Sequence, residues 1–385
     1  MAETVDGLQD VALTFSGRAL DVDEIETQLG RLRFLAAGSP QGGDAYAPRA
    51  SLLNMVVYAE REEKANSAGR IVEELASFHP SRALIVVARP SDDESHIEAN
   101  LSAHCHMTRD APRSVCCEEV TLEVSGRSAR HLHSIIIPLL VPDLPVYVWW
   151  MEELPADPHL FLELLDTADR LFVDSGTFGD QLRGLQDLAR LSGSEPRSTV
   201  GDLNWGRTET WRGIFEGQQN IKEMRHHFTS VEGVEIEYAD GPQPNDAAQP
   251  ILFLAWLAGQ LGWDTSAVSS EDAGRFTFHV AEDRSVPAFV SGVPYDAAGA
   301  GSLVSVKIAC RSETASAILS VARTGEPNHL TVRVEHKQHV KEESVRLEPC
   351  PTSAMLRREL TLGPHNRAYQ QTLLAAAPLV AAART

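Results

Sequence analysis

Apolar runs and helix-like spacing alternate along the first half of the chain. Residues 52–58 and 83–88 are apolar without strict alternation, as in strands that are buried on both faces of a parallel sheet. Between them, over residues 65–76, apolar side chains recur at helical spacing. Together these segments predict a βαβ unit with a right-handed crossover.

The next segments extend this pattern. Apolar and polar residues alternate over 97–107 and 120–124, which predicts two antiparallel strands with one face in water. Helical spacing then returns over 132–139, 161–168 and 178–188, separated by apolar strands at 146–150 and 171–173. Residues 48–200 are therefore predicted to form an α/β, Rossmann-like layered domain.

After residue 200 the pattern changes. An apolar helix is predicted over 250–261, and the alternating segments 276–280, 304–310, 317–322 and 330–334 follow one another as strands. Strands in succession favour an antiparallel sheet, so residues 201–385 are predicted to form an α+β domain, with a last helix at 366–377. Residues 1–47 mix acidic and glycine-rich stretches and are predicted to be a flexible, peripheral arm with a short helix at 24–35.

Charge and cysteine content narrow the class of protein. The 385 residues carry 34 Lys and Arg against 54 Asp and Glu, a formal charge of -20, which opposes binding to nucleic acid or to an anionic membrane. The start of the chain lacks the features of a signal peptide, and no apolar run reaches membrane-spanning length. Five cysteines, an odd number in a long chain, argue against a disulfide framework. We therefore expect a cytoplasmic globular protein.

Two segments concentrate the tryptophans. Residues 142–150 end in Trp149 and Trp150, and residues 202–212 contain Trp205 and Trp211, so these segments hold four of the six tryptophans. Neighbouring side chains of a strand point to opposite faces, which predicts that one of the first two indoles joins the core and the other lies near a rim.

These two segments resemble the bacterial glucose-6-phosphate dehydrogenase assembly protein family, OpcA. Residues 52–57, 79–83 and 173–176 look like the same family and occur in the same order. The resemblance runs from about residue 49 to the end and is stronger before residue 220. It implies a non-enzymatic assembly factor and allosteric activator of glucose-6-phosphate dehydrogenase in the oxidative pentose phosphate pathway, with no cofactor of its own.

Tryptophan and arginine dominate the hot spots of protein interfaces, because each combines a large contact area with directional donors. The residues predicted to bind the partner are Trp149, Trp150, Asn204, Trp205, Arg207, Trp211, Arg212 and Arg82. Core packing is the alternative for each indole. For Arg82 the alternative is an ordered turn in which the guanidinium pairs with a nearby carboxylate.

The sequence also contains residues that favour a second function. Asp174, Ser175 and Thr177 follow a predicted strand and precede a helix, where free backbone N–H groups attract anions, so they form a candidate anion site. Helix capping by Ser175 or Thr177 is the alternative. An anion site here would indicate a sugar-phosphate- or nucleotide-binding protein or enzyme that uses the crevice of the N-terminal domain.

Other chemistry finds little support in the sequence. No glycine-rich turn follows the strands at 52–58 or 83–88, so no cofactor-binding residue is assigned. The spacing of His104, Cys105, His106, Cys116 and Cys117 fits no zinc signature, so no metal ligand is assigned. Nothing in the chain compels a catalytic assignment.

Overall fold

The computed structural model of the chain describes residues 7–15, 21–36, 51–107, 114–194, 198–242, 245–272, 274–281, 283–311, 316–325, 328–362 and 366–384. The chain divides into two compact units that interleave along the sequence. The first unit comprises Met1–Val173, Arg197–Gly201 and Thr352–His365. The second comprises Asp174–Pro196, Asp202–Pro351 and Asn366–Thr385. The boundary expected between residues 200 and 201 stays a prediction.

Sixteen strands are found in the described residues. They are β1 Gly7–Phe15, β2 Leu53–Ala59, β3 Ser81–Arg89, β4 His96–Met107, β5 Ser114–Ser125, β6 Val146–Trp150, β7 Arg170–Val173, β8 Thr199–Asp202, β9 Val231–Ala239, β10 Ser269–Asp272, β11 Arg275–Ala281, β12 Arg284–Val293, β13 Leu303–Arg311, β14 Ser316–Arg323, β15 His329–His336 and β16 His339–Arg346.

The same part of the chain contains twelve α-helices. They are α1 Val22–Ala36, α2 Glu62–Ala76, α3 Gly126–Arg130, α4 Leu132–Ile136, α5 His159–Thr167, α6 Gln181–Gly193, α7 Leu203–Gly206, α8 Glu209–Asn220, α9 Lys222–Phe228, α10 Ala248–Leu261, α11 Thr352–Thr361 and α12 Arg367–Ala383. None of them combines the length and apolar character that crossing a membrane requires.

The first sheet has the strand order β1-β4-β5-β3-β2-β6-β7-β8. Its pairs from β5 to β7 are parallel, and all seven residues of β2 are buried, as the unbroken apolar run predicts. The order β5-β3-β2-β6-β7-β8 is the 3-2-1-4-5-6 order of a Rossmann sheet. The predicted α/β, Rossmann-like class is therefore confirmed.

The N-terminal residues contribute to this sheet. β1 pairs antiparallel with β4, and β4 pairs antiparallel with β5. Helix α1 buries Ile25, Leu29 and Leu32 almost completely. These described segments belong to the packed first unit, because the apolar stripe of α1 is covered and β1 completes a ladder. The flexible, peripheral arm expected over residues 1–47 as a whole stays a prediction.

The second sheet has the order β10-β11-β12-β9-β13-β14-β15-β16. Neighbouring strands run antiparallel except β9 and β12, which are parallel. β13 and β14 show the expected alternation of buried and more exposed residues. Helix α10 buries eleven consecutive residues from Ala248 to Ala258. The predicted α+β class of this part of the chain is therefore confirmed. Its sheet contains one parallel pair besides the expected antiparallel pairs.

Candidate functional site

The second unit contains a buried polar network around Asp202. The Oδ1 atom of this carboxylate accepts hydrogen bonds from the backbone N–H groups of Ser175, at 3.0 Å, and Asn204, at 2.9 Å. Its Oδ2 atom accepts from the Ser175 hydroxyl at 2.6 Å and from the Tyr369 hydroxyl at 3.3 Å. Asp202 is completely buried, so these four donors replace the water that the carboxylate lost on folding.

The network continues through two amide side chains. Asn204 donates from Nδ2 to the Ser175 hydroxyl at 3.1 Å and accepts at Oδ1 from Gln249 Nε2 at 3.0 Å. Gln249 in turn accepts at Oε1 from the backbone N–H of Leu303 at 2.8 Å. The motif at 202–207 is thus tied to α10 and to β13 by hydrogen bonds between buried groups, whose geometry is strongly specified.

Burial raises the pKa of Asp202 from 3.8 to about 6, and the negative charge of Asp174 adds to the increase. The hydrogen bonds from Ser175 and Asn204 oppose it, because they stabilise the charged form. The carboxylate is therefore costly to ionise in the folded protein, in spite of its four donors.

Two arginines connect this network with the protein surface. Both guanidinium Nη atoms of Arg207 donate to the Asp174 carboxylate, at 2.6 and 2.7 Å, in a bidentate pair. The guanidinium of Arg212 lies 3.5 Å from the ring centroid of Trp205, and its Nε donates to the Thr208 hydroxyl at 3.0 Å. Arg207 keeps 26% of its side chain exposed and Arg212 is half-buried, so both groups are held rigidly yet can be reached.

The predicted anion-site residues already have partners within the chain. Ser175 is buried and its hydroxyl bonds Asp202, while the Thr177 hydroxyl donates to the Asp174 carbonyl at 2.9 Å. Asp174 caps the three-residue 3₁₀ turn Ser175–Thr177 by accepting from the Gly176 N–H. The cap of this turn is therefore Asp174, not Ser175 or Thr177 as the capping alternative expects, and the anion site stays a prediction.

The two indoles of the first unit lie in its core. Trp149 and Trp150 are each 2% exposed. Trp150 stacks on Tyr58 with ring centroids 3.9 Å apart, and its Nε1 donates to the Glu153 carbonyl at 3.0 Å. The expectation that one indole lies near a rim is wrong, because β6 lies between β2 and β7 and residues on both of its faces are covered.

The two indoles of the second unit are buried as well. Trp205 is 2% exposed, and no part of Trp211 is exposed. Asn204, at 3% exposure, also presents almost no surface. Core packing is therefore the role that the structure gives to these residues, and direct partner contact through them stays a prediction.

Arg82 of the first unit is completely buried. Its Nε donates to Glu118 at 2.7 Å, and its Nη1 donates to Glu26 at 2.8 Å and to the Leu139 carbonyl at 2.9 Å. This is the ordered, carboxylate-paired arrangement that was the alternative to a partner surface.

The strand order implies a dinucleotide at the point where β2 and β6 diverge, so the residues there test that expectation. The turn after β2 is Ala59-Glu60-Arg61-Glu62, without glycine. Lys64 Nζ donates to Glu152 at 2.6 Å and to the Met151 carbonyl at 2.7 Å, which ties α2 to the end of β6. Burial and the charge of Glu152 raise the pKa of Glu60.

Two carboxylates beside a glycine-free turn oppose the close approach of a pyrophosphate. The residues present therefore do not fit a dinucleotide.

Neither metal binding nor thiol reactivity gains support from the described residues. Burial raises the pKa of Cys117 to about 11, which disfavours the reactive thiolate. No group of three metal-binding side chains occurs in the ranges that the structure describes. The side chains of His104, Cys105, His106 and Cys116 lie outside them.

Sequence reasoning missed a buried ion pair of the first unit. Arg170 Nη2 donates to Glu359 Oε2 at 2.9 Å, and Arg170 Nη1 donates to the Glu359 carbonyl. A Cβ atom at Gly201 would lie 2.8 Å from Glu359 Oε2, so a side chain there would push this carboxylate aside. A charged residue at a buried helical position was the available signal, but its partner is 189 positions away.

The fold and the site define a class: a two-unit α/β protein whose Rossmann-order sheet lacks a dinucleotide turn, and whose second unit contains a mixed sheet and a buried carboxylate network. Residues 72–190 match the family model described as glucose-6-phosphate dehydrogenase subunit N-terminal domain. Residues 198–373 match the corresponding C-terminal domain model. The chain belongs to this glucose-6-phosphate dehydrogenase assembly family, OpcA.

Curated relatives agree with this membership. A protein of Synechocystis sp., provisionally named OxPP cycle protein OpcA, is 29% identical over 266 residues, which cover 66% of this chain and 54% of the relative. A protein of Nostoc punctiforme with the same name is 29% identical over 247 residues, which cover 63% and 51%. The chain thus spans about half the length of the curated relatives that it matches.

Solved structures give a more distant likeness. An NAD binding oxidoreductase from Klebsiella pneumoniae covers 86% of this chain with a TM-score of 0.47 and 10% identity, 97% of its own chain being covered. UDP-N-acetylglucosamine 3-dehydrogenase from Acidithiobacillus ferrooxidans gives 0.44 and 11%, with the same coverage. At these scores the likeness carries no argument about activity.

Proposed function

We propose that this chain is a non-enzymatic assembly factor and allosteric activator of glucose-6-phosphate dehydrogenase. The observation that carries the proposal is the match of both of its halves to domains described for a subunit of that dehydrogenase. The glycine-free turn and the Lys64–Glu152 contact support a role without a bound dinucleotide.

The contact that we propose uses Arg207 and Arg212. Both guanidinium groups are partly exposed and already ordered, one by Asp174 and the other by the face of Trp205. Ordered arginines lose little conformational entropy when they bind, which makes them efficient contact groups. The buried indoles would then act indirectly, by fixing the segments that carry the arginines.

The activation that we propose is a shift of population. A partner that binds the active form of the dehydrogenase more tightly than the inactive form stabilises the active form by that difference in affinity and no more. The expected signature is a lower apparent KM for glucose 6-phosphate when this protein is added. The dehydrogenase must come from the same organism, because the contact surfaces of both proteins matter.

The test combines kinetics with sedimentation of the two purified proteins. We expect wild-type chain to change both, and Arg207→Ala and Arg212→Ala to weaken binding by about tenfold or more, as hot-spot residues do. Arg183→Ala is the matched control, since this arginine is 63% exposed on α6 of the same unit. If wild-type chain changes neither quantity, the function is wrong. If wild-type chain changes both quantities and the two arginine variants act like wild type, the contact residues are wrong.

A further inference from the structure

A cavity of about 280 Å³ lies in the second unit at the carboxyl ends of β9 and β12. These two strands form the parallel pair of the second sheet, and Tyr238 and Gly292 stand opposite each other near their ends. Ligands of open α/β sheets commonly lie beyond the carboxyl ends of parallel strands. The volume is at the lower end of the range for ligand pockets, so the occupant has to be small.

The wall of the cavity combines an apolar floor with polar groups at its mouth. Ile251, Phe276 and Val290 are buried and form part of the floor. The register places Tyr238 on the same face of the sheet as Val290, and the Tyr238 hydroxyl has no hydrogen-bond partner in the described part of the chain, whereas Ser291 is exposed and its side chain belongs to the opposite face. An unpaired hydroxyl beside an apolar surface can bind a hydroxyl group of a ligand without first breaking protein contacts.

The charge near the cavity is negative. Among the described lining residues there is no Lys, Arg or His. The Asp240 carboxylate lies against Gly292 of the lining, and the charges of Asp240 and Asp246 add to the rise that burial causes in the pKa of Tyr238. Neither carboxylate lines the cavity itself. An anion would be repelled, and an ammonium ion would find no carboxylate to contact directly.

The carboxylates are held behind the wall by close packing against glycine. A Cβ atom at Gly292 would lie 3.0 Å from Asp240 Oδ1, and one at Gly241 would overlap the Asp246 carboxylate. A side chain at either position would displace these groups. The positions of these two carboxylates, and with them the negative potential near the cavity, therefore depend on glycine at 241 and 292.

We propose that this cavity binds an uncharged polyhydroxy compound of the size of one sugar ring. Tyr238 supplies a hydroxyl group that both donates and accepts, and Asn245 adds an amide at the mouth. Phe276 and Val290 cover the apolar face of the ring. The proposal goes beyond the proposed function, because it concerns a ligand of this chain alone.

The experiment is calorimetric titration of the full chain, without the dehydrogenase, using a matched pair of probes. D-glucose is expected to bind, and glucose 6-phosphate, which differs only by its phosphate, is expected to bind at least tenfold more weakly. Tyr238→Phe keeps the ring and removes the hydroxyl, so it should weaken glucose binding roughly 2- to 10-fold, the effect of one hydrogen bond. Tyr295→Phe is the control, because that hydroxyl donates to the Thr324 carbonyl and does not line the cavity.

The other outcomes overturn the proposal. Equal or tighter binding of glucose 6-phosphate would identify an anion site. Binding of tetramethylammonium instead of glucose would identify a cation site. If glucose, glycerol and myo-inositol all fail to bind with a Kd of about 1 mM or tighter, the weak end of the usual affinity scale, the cavity has no such ligand. None of these results depends on whether the dehydrogenase is bound.

Discussion

The strand Val146–Trp150 of the first unit and the segment 202–212 of the second each bury two indoles, but in opposite surroundings. Around Trp150 the neighbours are the rings of Tyr58 and Phe161. Around Trp205 they are a guanidinium, a tyrosine and a completely buried carboxylate network. The first segment stabilises the folded state by burying apolar surface, and this contribution does not change with pH. The second contains a titratable carboxylate, Asp202, whose neighbour Asp174 pairs with Arg207 near the surface.

The largest expected effect concerns the apolar segment. Trp150→Ala should lower the free energy of unfolding by about 3–5 kcal/mol, because a buried indole and its stacking partner are lost. Trp150→Phe keeps an aromatic ring against Tyr58 and should lose clearly less. Urea unfolding followed by circular dichroism measures both. A loss below about 1 kcal/mol for the alanine variant would mean that this indole is not a core residue.

The second prediction concerns the pH dependence of the polar segment. The pKa of Asp202 is about 6 in the folded chain against 3.8 as its ordinary value. Below both values the group is protonated in either state and has no effect, whereas above both values the folded state bears the cost of the buried charge. Stability from this group is therefore highest below about pH 3 and is lower by about 3 kcal/mol at pH 7, with most of the fall between about pH 4 and pH 6.

Asp202→Asn separates this effect from that of the other carboxylates. The variant cannot ionise, so the difference in unfolding free energy between wild type and variant should shift in the variant's favour from pH 4 to pH 7. Asp240→Asn, at an exposed position of the same unit, is the control. A difference that stays constant over this range would show that the Asp202 pKa is not raised.

The third prediction tests the link between the network and the surface. Arg207→Gln removes the cation that pairs with Asp174, leaving that carboxylate unneutralised close to Asp202. We expect a loss of about 1–3 kcal/mol at pH 7 and a smaller loss at pH 4, where less negative charge remains. Urea unfolding at both pH values measures the effect. Equal losses at the two pH values would argue against electrostatic coupling between Arg207 and the network.

The elements that the sequence predicts well are those decided by local pattern. Local pattern is enough to predict β2, β3 and α2. The apolar residues of each element, in runs for the strands and at helical spacing for the helix, are the ones that the structure buries. The same holds for the alternation in β13 and β14. β16 escapes prediction because it is an exposed edge strand of mixed charge, without an apolar face.

Long-range pairing explains the remaining differences. α11 was not predicted, because its buried Glu359 becomes acceptable in a core only when Arg170 neutralises it. α12 continues past Pro378, where local rules predict an end. In the candidate site, Asp202 and Arg207 were visible as a motif, but their partners Tyr369 and Asp174 come from distant positions. A strand order that buries both faces of β6 is likewise not encoded in the five residues of that strand.

The smallest expected effect on stability is that of Arg212→Lys, a substitution that separates the charge of the side chain from its shape. Arg212→Lys keeps the positive charge but loses the planar group that stacks 3.5 Å from the Trp205 ring centroid and donates from Nε to Thr208. Stability should fall by no more than about 1 kcal/mol, the usual size of such a stacking contact near the surface. Binding to the dehydrogenase should fall several-fold if the ordered guanidinium is the contact group. Sedimentation of the mixture checks this, and binding that equals that of wild type would show that charge alone suffices.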